Sequence, residues 1–197
     1  MATAKVWKNV AVAMQSALAA AKTITGITKA SPGVVTSTSH GYSNGDIVFL
    51  SISGMYQLND KAVRVAGVTT DTFQLEGVDT TSFDTFSSGT AEKVTLGTSI
   101  TTATNITSSG GNFELIDSTT IHGNAKTQLP GLPEATNFTM DHIWDVSDAG
   151  LLAMKTASDN QAKRVFKFTF GSGGQVMLFA GYVAATLLPG GSAQQLV

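Results

Sequence analysis

Phe166, Phe168 and Phe170 alternate with Lys167 and Thr169, and after Gly171-Ser172-Gly173-Gly174 an apolar run from Val176 to Ala185 returns. Period-two alternation sends successive side chains to opposite faces, so this pair predicts a β-hairpin turned at the glycines. The returning strand is apolar on both faces, with Val176, Leu178 and Ala180 against Met177, Phe179 and Val183. Such a strand needs a helix, a second sheet or a neighbouring subunit to cover it. Phe138 to Val146 predicts another strand: Phe, Met, His, Trp and Val take one face, and Thr, Asp, Ile and Asp the other. That gives one buried and one acidic face. Ser147 suits a helix N-cap, with Asp148 in the first turn of a helix over 148–157. Residues 5–15 alternate as well, with Val10, Val12 and Met14 on one side and Asn9, Ala11 and Gln15 on the other. Residues 16–21 read as a short helix or a lead-in, because six residues are too few for alanine's helix preference to decide.

Between Thr23 and Val94 the texture changes to short strand-like runs bounded by turn residues. Ile47–Leu50 follows the turn Tyr42–Asp46, where Asn44-Gly45 favours positive φ. Val63 and Val65 share a face opposite Arg64, and Thr72–Leu75 alternates again. Such spacing predicts a small all-β barrel or sandwich. Gly97–Gly111, rich in Ser, Thr and Gly, reads as a linker with room for one short strand. Phe113 and Leu115 open a strand. Residues 118–135 then read as a long loop with two prolines, of the kind that serves function or an interface.

Composition adds a constraint on the surface. Of the 197 residues 42% are hydrophobic and only 13% charged, about half the usual charged share. Ser, Thr, Gly, Asn and Gln therefore cover much of the outside, which suits packing of copies without stranding charges. The formal net charge of −2 and the absence of any Lys/Arg run argue against an electrostatic nucleic-acid binder. There is no cysteine, hence no disulfide and no thiolate site. The N-terminal segment is interrupted by Asn9, Gln15 and Ser16 and reads as a strand rather than a signal peptide. No run approaches the ~20 apolar residues of a membrane span.

Little in the chain points to catalysis. His40, His122 and His142 lack metal-ligand spacing. His142 falls on an apolar strand face as a satisfied core or interface residue, His40 at a turn and His122 in the long loop. Asp141 and Asp145 share a strand face, but four positions along a strand span ~13 Å, too far for a retaining glycosidase pair. Gly171–Gly174 is followed by a strand and no Lys-Ser/Thr, so it is not a phosphate loop. No G-x-S-x-G elbow or acid, base and nucleophile set occurs. The chain is expected to be no enzyme and to need no cofactor or metal.

Two resemblances are carried by ordered motifs. Ser39-His40-Gly41-Tyr42-Ser43-Asn44-Gly45-Asp46-Ile47-Val48, Gly54-Met55, Leu58-Asn59, Val63-Arg64-Val65 and Asp71-Thr72-Phe73-Gln74-Leu75 resemble a small β-module that recurs in phage structural proteins. It is often labelled after the first catalytic-cysteine half-domain of ubiquitin-activating enzymes. With no cysteine present, nothing of ubiquitin activation carries over. Residues 5–22 and 96–188 resemble the major tail tube protein of long, non-contractile-tailed bacteriophages. The carrying pieces are Ile116-Asp117, Leu129–Ala135, the Phe138–Val146 strand with Trp144-Asp145, Phe166-Lys167-Phe168 and Phe179–Val183.

The resemblance implies a mainly β fold: a β-sandwich or partial barrel with one flanking α-helix, formed by 1–22 and 96–197. A small all-β domain, 23–95, is inserted and expected on the exterior. It also implies hexameric rings stacked into a tail tube that conducts the genome, in a virion component made in the host cytoplasm. Tape measure and tail terminator proteins would be partners, DNA would pass without specific binding, and no membrane insertion is expected. On this reading Asp141 and Asp145 face an acidic lumen, and Ile121, His122, Lys126, Leu129 and Leu132 belong to a loop reaching the adjacent ring. A second reading, a carbohydrate- or cell-surface-binding tail decoration, rests on the inserted module with Tyr42, Tyr56 and Phe73 as candidate contacts.

Overall fold

Strands dominate because apolar and polar positions alternate through most of the chain. A computed structural model describes residues 10–171 and 175–186. Its first strands are β1 (Val10–Met14), β2 (Ala17–Leu18), β3 (Lys22–Ile24), β4 (Gly26–Ile27), β5 (Val34–Thr36) and β6 (Ile47–Ser53). Then come β7 (Lys61–Ala66), β8 (Thr72–Leu75), β9 (Ser88–Thr95), β10 (Thr98–Ile100) and β11 (Ala103–Ser109). The rest are β12 (Phe113–Asp117), β13 (Gln128–Pro133), β14 (Asn137–His142), helix α1 (Ala149–Asp159), β15 (Lys163–Phe170) and β16 (Gln175–Tyr182). The architecture is mainly β, with one α-helix among the described residues and several sheets rather than a closed barrel, consistent with the expected sandwich. The chain divides into two compact units: the described residues through Thr101 and from Val146 on, and Thr102–Asp145.

In the first unit one sheet runs β10-β1-β15-β16, all antiparallel. Val12 lies opposite Phe168 and Ile100, and Met14 opposite Phe166, and all five side chains are buried. Gln15 ends β1 by a paired exchange: its N–H donates to the Val165 carbonyl (2.8 Å) and its Oε1 accepts from Val165 N (3.1 Å). Helix α1 buries Leu151, Met154 and Ala157, spaced as one helix face requires. Its cap is Asp148, not Ser147: Asp148 has extended backbone and Oδ1 accepts from Leu151 N at 2.8 Å. Both residue types cap well, and backbone geometry decides between them.

The helix lies close on β10 at Gly150. A Cβ added there would sit 2.7 Å from the Ser99 carbonyl oxygen and 3.2 Å from Ile100 Cα. Gly150→Ala gains about 1 kcal/mol of helix propensity, but backbone atoms cannot yield, and overpacking costs about 1–3 kcal/mol. The substitution is expected to destabilise this unit, read as a lower urea midpoint; a raised midpoint would show that the helix simply slides away.

The remaining strands of this unit form the sheet β2-β9-β6-β7-β8-β5-β4, with β3 also on β9. Its core holds Val35, Val48, Leu50, Met55, Val65 and Phe73, all fully buried. The expected Asn44-Gly45 turn forms, with Gly45 at φ +90° and its N–H donating to the Val65 carbonyl. Thr80, also buried, accepts from Ala30 N (3.1 Å) and donates to the Thr28 carbonyl (2.7 Å), pinning the chain after β8 to the chain after β4.

Strand β6 is covered on both faces. Val48, Leu50 and Ile52 enter that core, while Ile47 and Phe49 join Val94, Ala62, Leu96, Val165, Leu178 and Ala180 in a second cluster. The second cluster covers part of one face of β15 and β16. An ion pair from Lys163 to Asp60 (2.8 Å) ties the same two layers.

Several expectations are corrected. Ala17–Leu18 is strand paired with β9, not helix; ladder partners outweigh alanine's propensity in so short a piece. Residues 97–111 are not a linker but contain β10 and β11. Residues 118–135 are only partly loop, because Gln128–Pro133 pairs with β12. Its prolines lack an N–H, which is tolerable in a strand with one partner. The strand expected to reach Val146 ends at His142. Asn9 and the turn residues Ser172–Gly174 lie outside the described residues.

Candidate functional site

The second unit holds two two-stranded sheets, β11–β14 and β12–β13. In β14 Phe138, Met140 and His142 are half-buried, whereas Asn137, Thr139 and Asp141 are exposed. The His142 Nδ1 lies 3.1 Å from the Thr102 hydroxyl, a local structural role. Asn105, Thr107 and Ser109 of β11 stand opposite Asp141, Thr139 and Asn137. The exposed face is thus a ladder of hydroxyls and amides with one carboxylate. Asn105 Nδ2 donates to Asp141 Oδ2 at 3.0 Å, which fixes that carboxylate on the face. Asp145 is also exposed but lies past the end of β14, so the two carboxylates do not share a regular strand face. Thr102–Asp145 carries five carboxylates (Glu114, Asp117, Glu134, Asp141, Asp145) against the single cation Lys126. The Thr119 hydroxyl, and then its N–H, holds the Asp117 carboxyl below the usual carboxylate range.

The β12–β13 hairpin is open to water along its whole length. Ile121 and Leu132 are 95% and 91% exposed, and Leu129 is 60% exposed. Ile121, His122 and Lys126 lie in the loop between the strands, while Leu129 and Leu132 belong to β13 itself. The loop is closed at its neck: Ser118 N donates to the Thr127 carbonyl (2.9 Å) and Thr127 N to the Thr119 hydroxyl (3.0 Å). Sequence reasoning passed over Phe113, Leu115 and Ile116 as contact residues, although each is more than half exposed. The signal was present, since Phe-Glu-Leu-Ile-Asp puts large apolar groups on both faces of one strand.

The aromatic trio Tyr42, Tyr56 and Phe73 divides. Tyr56 is 68% exposed, but Tyr42 and Phe73 are core residues. That corrects their expected place on a ligand-binding surface. Their rings meet edge to face at 5.4 Å, and His40 packs against both. Tyr42 Oη donates to the Ala91 carbonyl (2.8 Å), and His40 Nδ1 accepts from Tyr42 N (3.0 Å) while Nε2 faces the Thr72 carbonyl (3.3 Å). With Nδ1 accepting, Nε2 is the ring nitrogen that donates, towards the Thr72 carbonyl.

Burial, followed by the charges of Glu92 and Asp46, pushes the Tyr42 hydroxyl up to about 12. The unfolded chain loses this proton first, near pH ~10. Stability from Tyr42 is therefore complete below that pH and is lost as pH rises towards 12. Tyr42→Phe is expected to cost about 1–3 kcal/mol at neutral pH and to flatten the alkaline decline in denaturant titrations. An unchanged decline in the variant would remove Tyr42 as its cause.

Among the described residues no group of three His, Asp or Glu side chains is placed to hold a metal ion, and no helix is long and apolar enough to cross a membrane. What these surfaces offer is contact: an acidic polar ladder and an uncovered apolar hairpin. Residues 53–196 match a family model described as phage tail tube protein, TTP. No curated protein matches the chain.

Proposed function

Because this chain belongs to the phage tail tube protein family, a structural component of the virion, we propose that six copies close into a ring and that rings stack into the conduit for genome delivery. The match over residues 53–196 carries this reading. The exposed hairpin supports it, because an apolar strand pair left in water marks a surface that a partner covers. The β11–β14 ladder with Asp141, and Asp145 beyond it, faces the lumen. Five carboxylates against one lysine in this unit repel a passing polyanion, and the neutral hydroxyls and amides give phosphates no cation to hold. Ile121, His122, Lys126, Leu129 and Leu132 reach the adjacent ring. Other tail proteins, such as the tape measure and the tail terminator, are its partners, and the chain is made in the host cytoplasm.

Residues 23–95 form the inserted module that resembles the one labelled after ubiquitin-activating enzymes, seated on the outer wall, with 1–22 and 96–197 as the tube domain. With Tyr42 and Phe73 in its core, Tyr56 alone is left of the aromatic contacts that a glycan-binding reading needs.

Negative-stain microscopy of the purified chain tests the proposal. Hexameric rings or hollow tubes are expected; particles that stay monomeric across salt and concentration would overturn it. Removing residues 120–126 is expected to leave rings but no tubes, and normal tubes from that variant would sink the role given to the loop.

A further inference from the structure

The chain contains one Asn-Gly step, Asn44-Gly45, and both residues are exposed in the turn before β6. At such a step the backbone can attack its own side chain. The Gly45 nitrogen loses its proton and bonds to Asn44 Cγ, and the side-chain nitrogen leaves as ammonia. Water then opens the five-membered imide at either carbonyl, giving aspartate or isoaspartate. A Cβ on the following residue hinders this closure, and glycine has none. Every other asparagine in the chain precedes a residue that carries a Cβ.

The fold holds both reacting groups. Gly45, at φ +90°, donates its N–H to the Val65 carbonyl at 2.8 Å, and Asn44 Oδ1 accepts from Val68 N at 3.0 Å. Ring closure needs the first bond broken, because that proton must leave. It needs the second broken, because Cγ must swing to the backbone nitrogen. Further bonds lock the same turn. Val65 N donates back to the Asp46 carbonyl (2.8 Å) and Asp46 N to the Ser43 carbonyl (3.0 Å). Ser43 N donates to the Asp46 carboxylate (2.9 Å), which also pairs with Lys93 (2.7 Å).

We propose that Asn44 is a site of spontaneous deamidation gated by this turn, so that modification at position 44 records how often the turn opens. Local openings of exposed turns need less free energy than global unfolding, so the folded chain reacts slowly rather than never. The two products differ in consequence. Aspartate keeps an oxygen to accept from Val68 N. Isoaspartate routes the backbone through the residue-44 Cβ, one atom longer, and shifts Gly45 and Asp46 out of their pairing with Val65. The strand that this turn feeds is β6, whose Ile47 and Val48 serve its two cores. One modified turn therefore loosens both. Assembly into a tube is not required for this chemistry.

The full chain is incubated at mildly alkaline pH, folded in buffer and unfolded in guanidinium. Its peptides are then mapped by mass spectrometry that separates aspartate from isoaspartate. Asn44 is expected to react ahead of every other asparagine in guanidinium, and about tenfold or more slowly in the folded chain, where two hydrogen bonds must first break. Asp46→Ala removes the Ser43 and Lys93 contacts at the edge of the turn but leaves both gating bonds. It is expected to speed the folded-state reaction severalfold, measured against its own rate in guanidinium. No product at Asn44 in guanidinium, or another asparagine ahead of it there, overturns the site. Equal wild-type rates in the folded and unfolded chain overturn the gate, with or without the variant. A variant whose ratio of folded to unfolded rate matches wild type shows that the Asp46 contacts do not hold the gate, and overturns that part.

Discussion

A chain lacking residues 23–95 is expected not to fold into a soluble, cooperatively melting domain. On sequence the segment looks like a removable insertion, but its β6 is shared by two cores. Val48 and Leu50 serve the segment itself, whereas Ile47 and Phe49 cover Val165, Leu178 and Ala180 of the β15–β16 pair. Deletion uncovers Val165, now 1% exposed, along with Leu178 and Ala180. It also removes the Asp60 partner of Lys163 and the β9 partner of β2. Fully exposing one such aliphatic side chain costs about 1.5–3 kcal/mol. Two or three together reach about 5 kcal/mol, the lower end of a domain's entire net stability. Size-exclusion chromatography and a thermal melt decide the matter. A soluble monomer with a sharp transition would mean that the segment is a detachable decoration. If it is not, the segment is part of the subunit's own fold, sharing the β6 core with β15 and β16.

Strands with regular alternation were legible, and their partners were not. Phe166, Phe168 and Phe170 announce β15, and Val176 onward shows a strand needing cover on both faces. Nothing in those residues says that part of the cover comes from β6, far earlier in the chain. The strands missed were those whose chemistry hides the period. β11 reads Ala-Thr-Asn-Ile-Thr-Ser-Ser and offers only Ile106 as a large apolar group, so its pairing with β14 leaves almost no hydrophobic trace. In β13 the prolines argued for loop, although a strand bonded on one side only can carry them. For the candidate surfaces the limits were similar. Ile121, Leu129 and Leu132 were read together as residues of one long loop; all three are exposed, but Leu129 and Leu132 belong to β13. Tyr42 stands in a turn-rich stretch that looked exposed, and only the fold brings it over Phe73. Phe73 itself was readable as inward, because it shares a face with Leu75.

Phe73→Ala and Tyr56→Ala are expected to part company by several kcal/mol. Phe73 is completely buried, with its ring set edge-on to Tyr42 at 5.4 Å and to His40 at 5.2 Å. Removing it leaves a cavity the size of a phenyl ring in a wall of β-strands that cannot collapse into it, at a cost of about 3–5 kcal/mol. For a chain of this length that lowers the melting temperature by roughly 10 °C. It also frees His40 and Tyr42, whose mutual hydrogen bond fixes the turn before β6, so entry into the two-sided strand loosens as well. Tyr56, mostly in water, should change stability by no more than about 0.5 kcal/mol. Differential scanning calorimetry of the two variants makes the comparison. Equal, small effects would mean that Phe73 is not the centre of this core, and would reopen a surface role for the aromatic trio. The expected asymmetry leaves Tyr56 as the one aromatic of the three that a ligand or a neighbouring tail protein can reach, and makes Tyr56→Ala the variant in which to look for lost binding without lost fold.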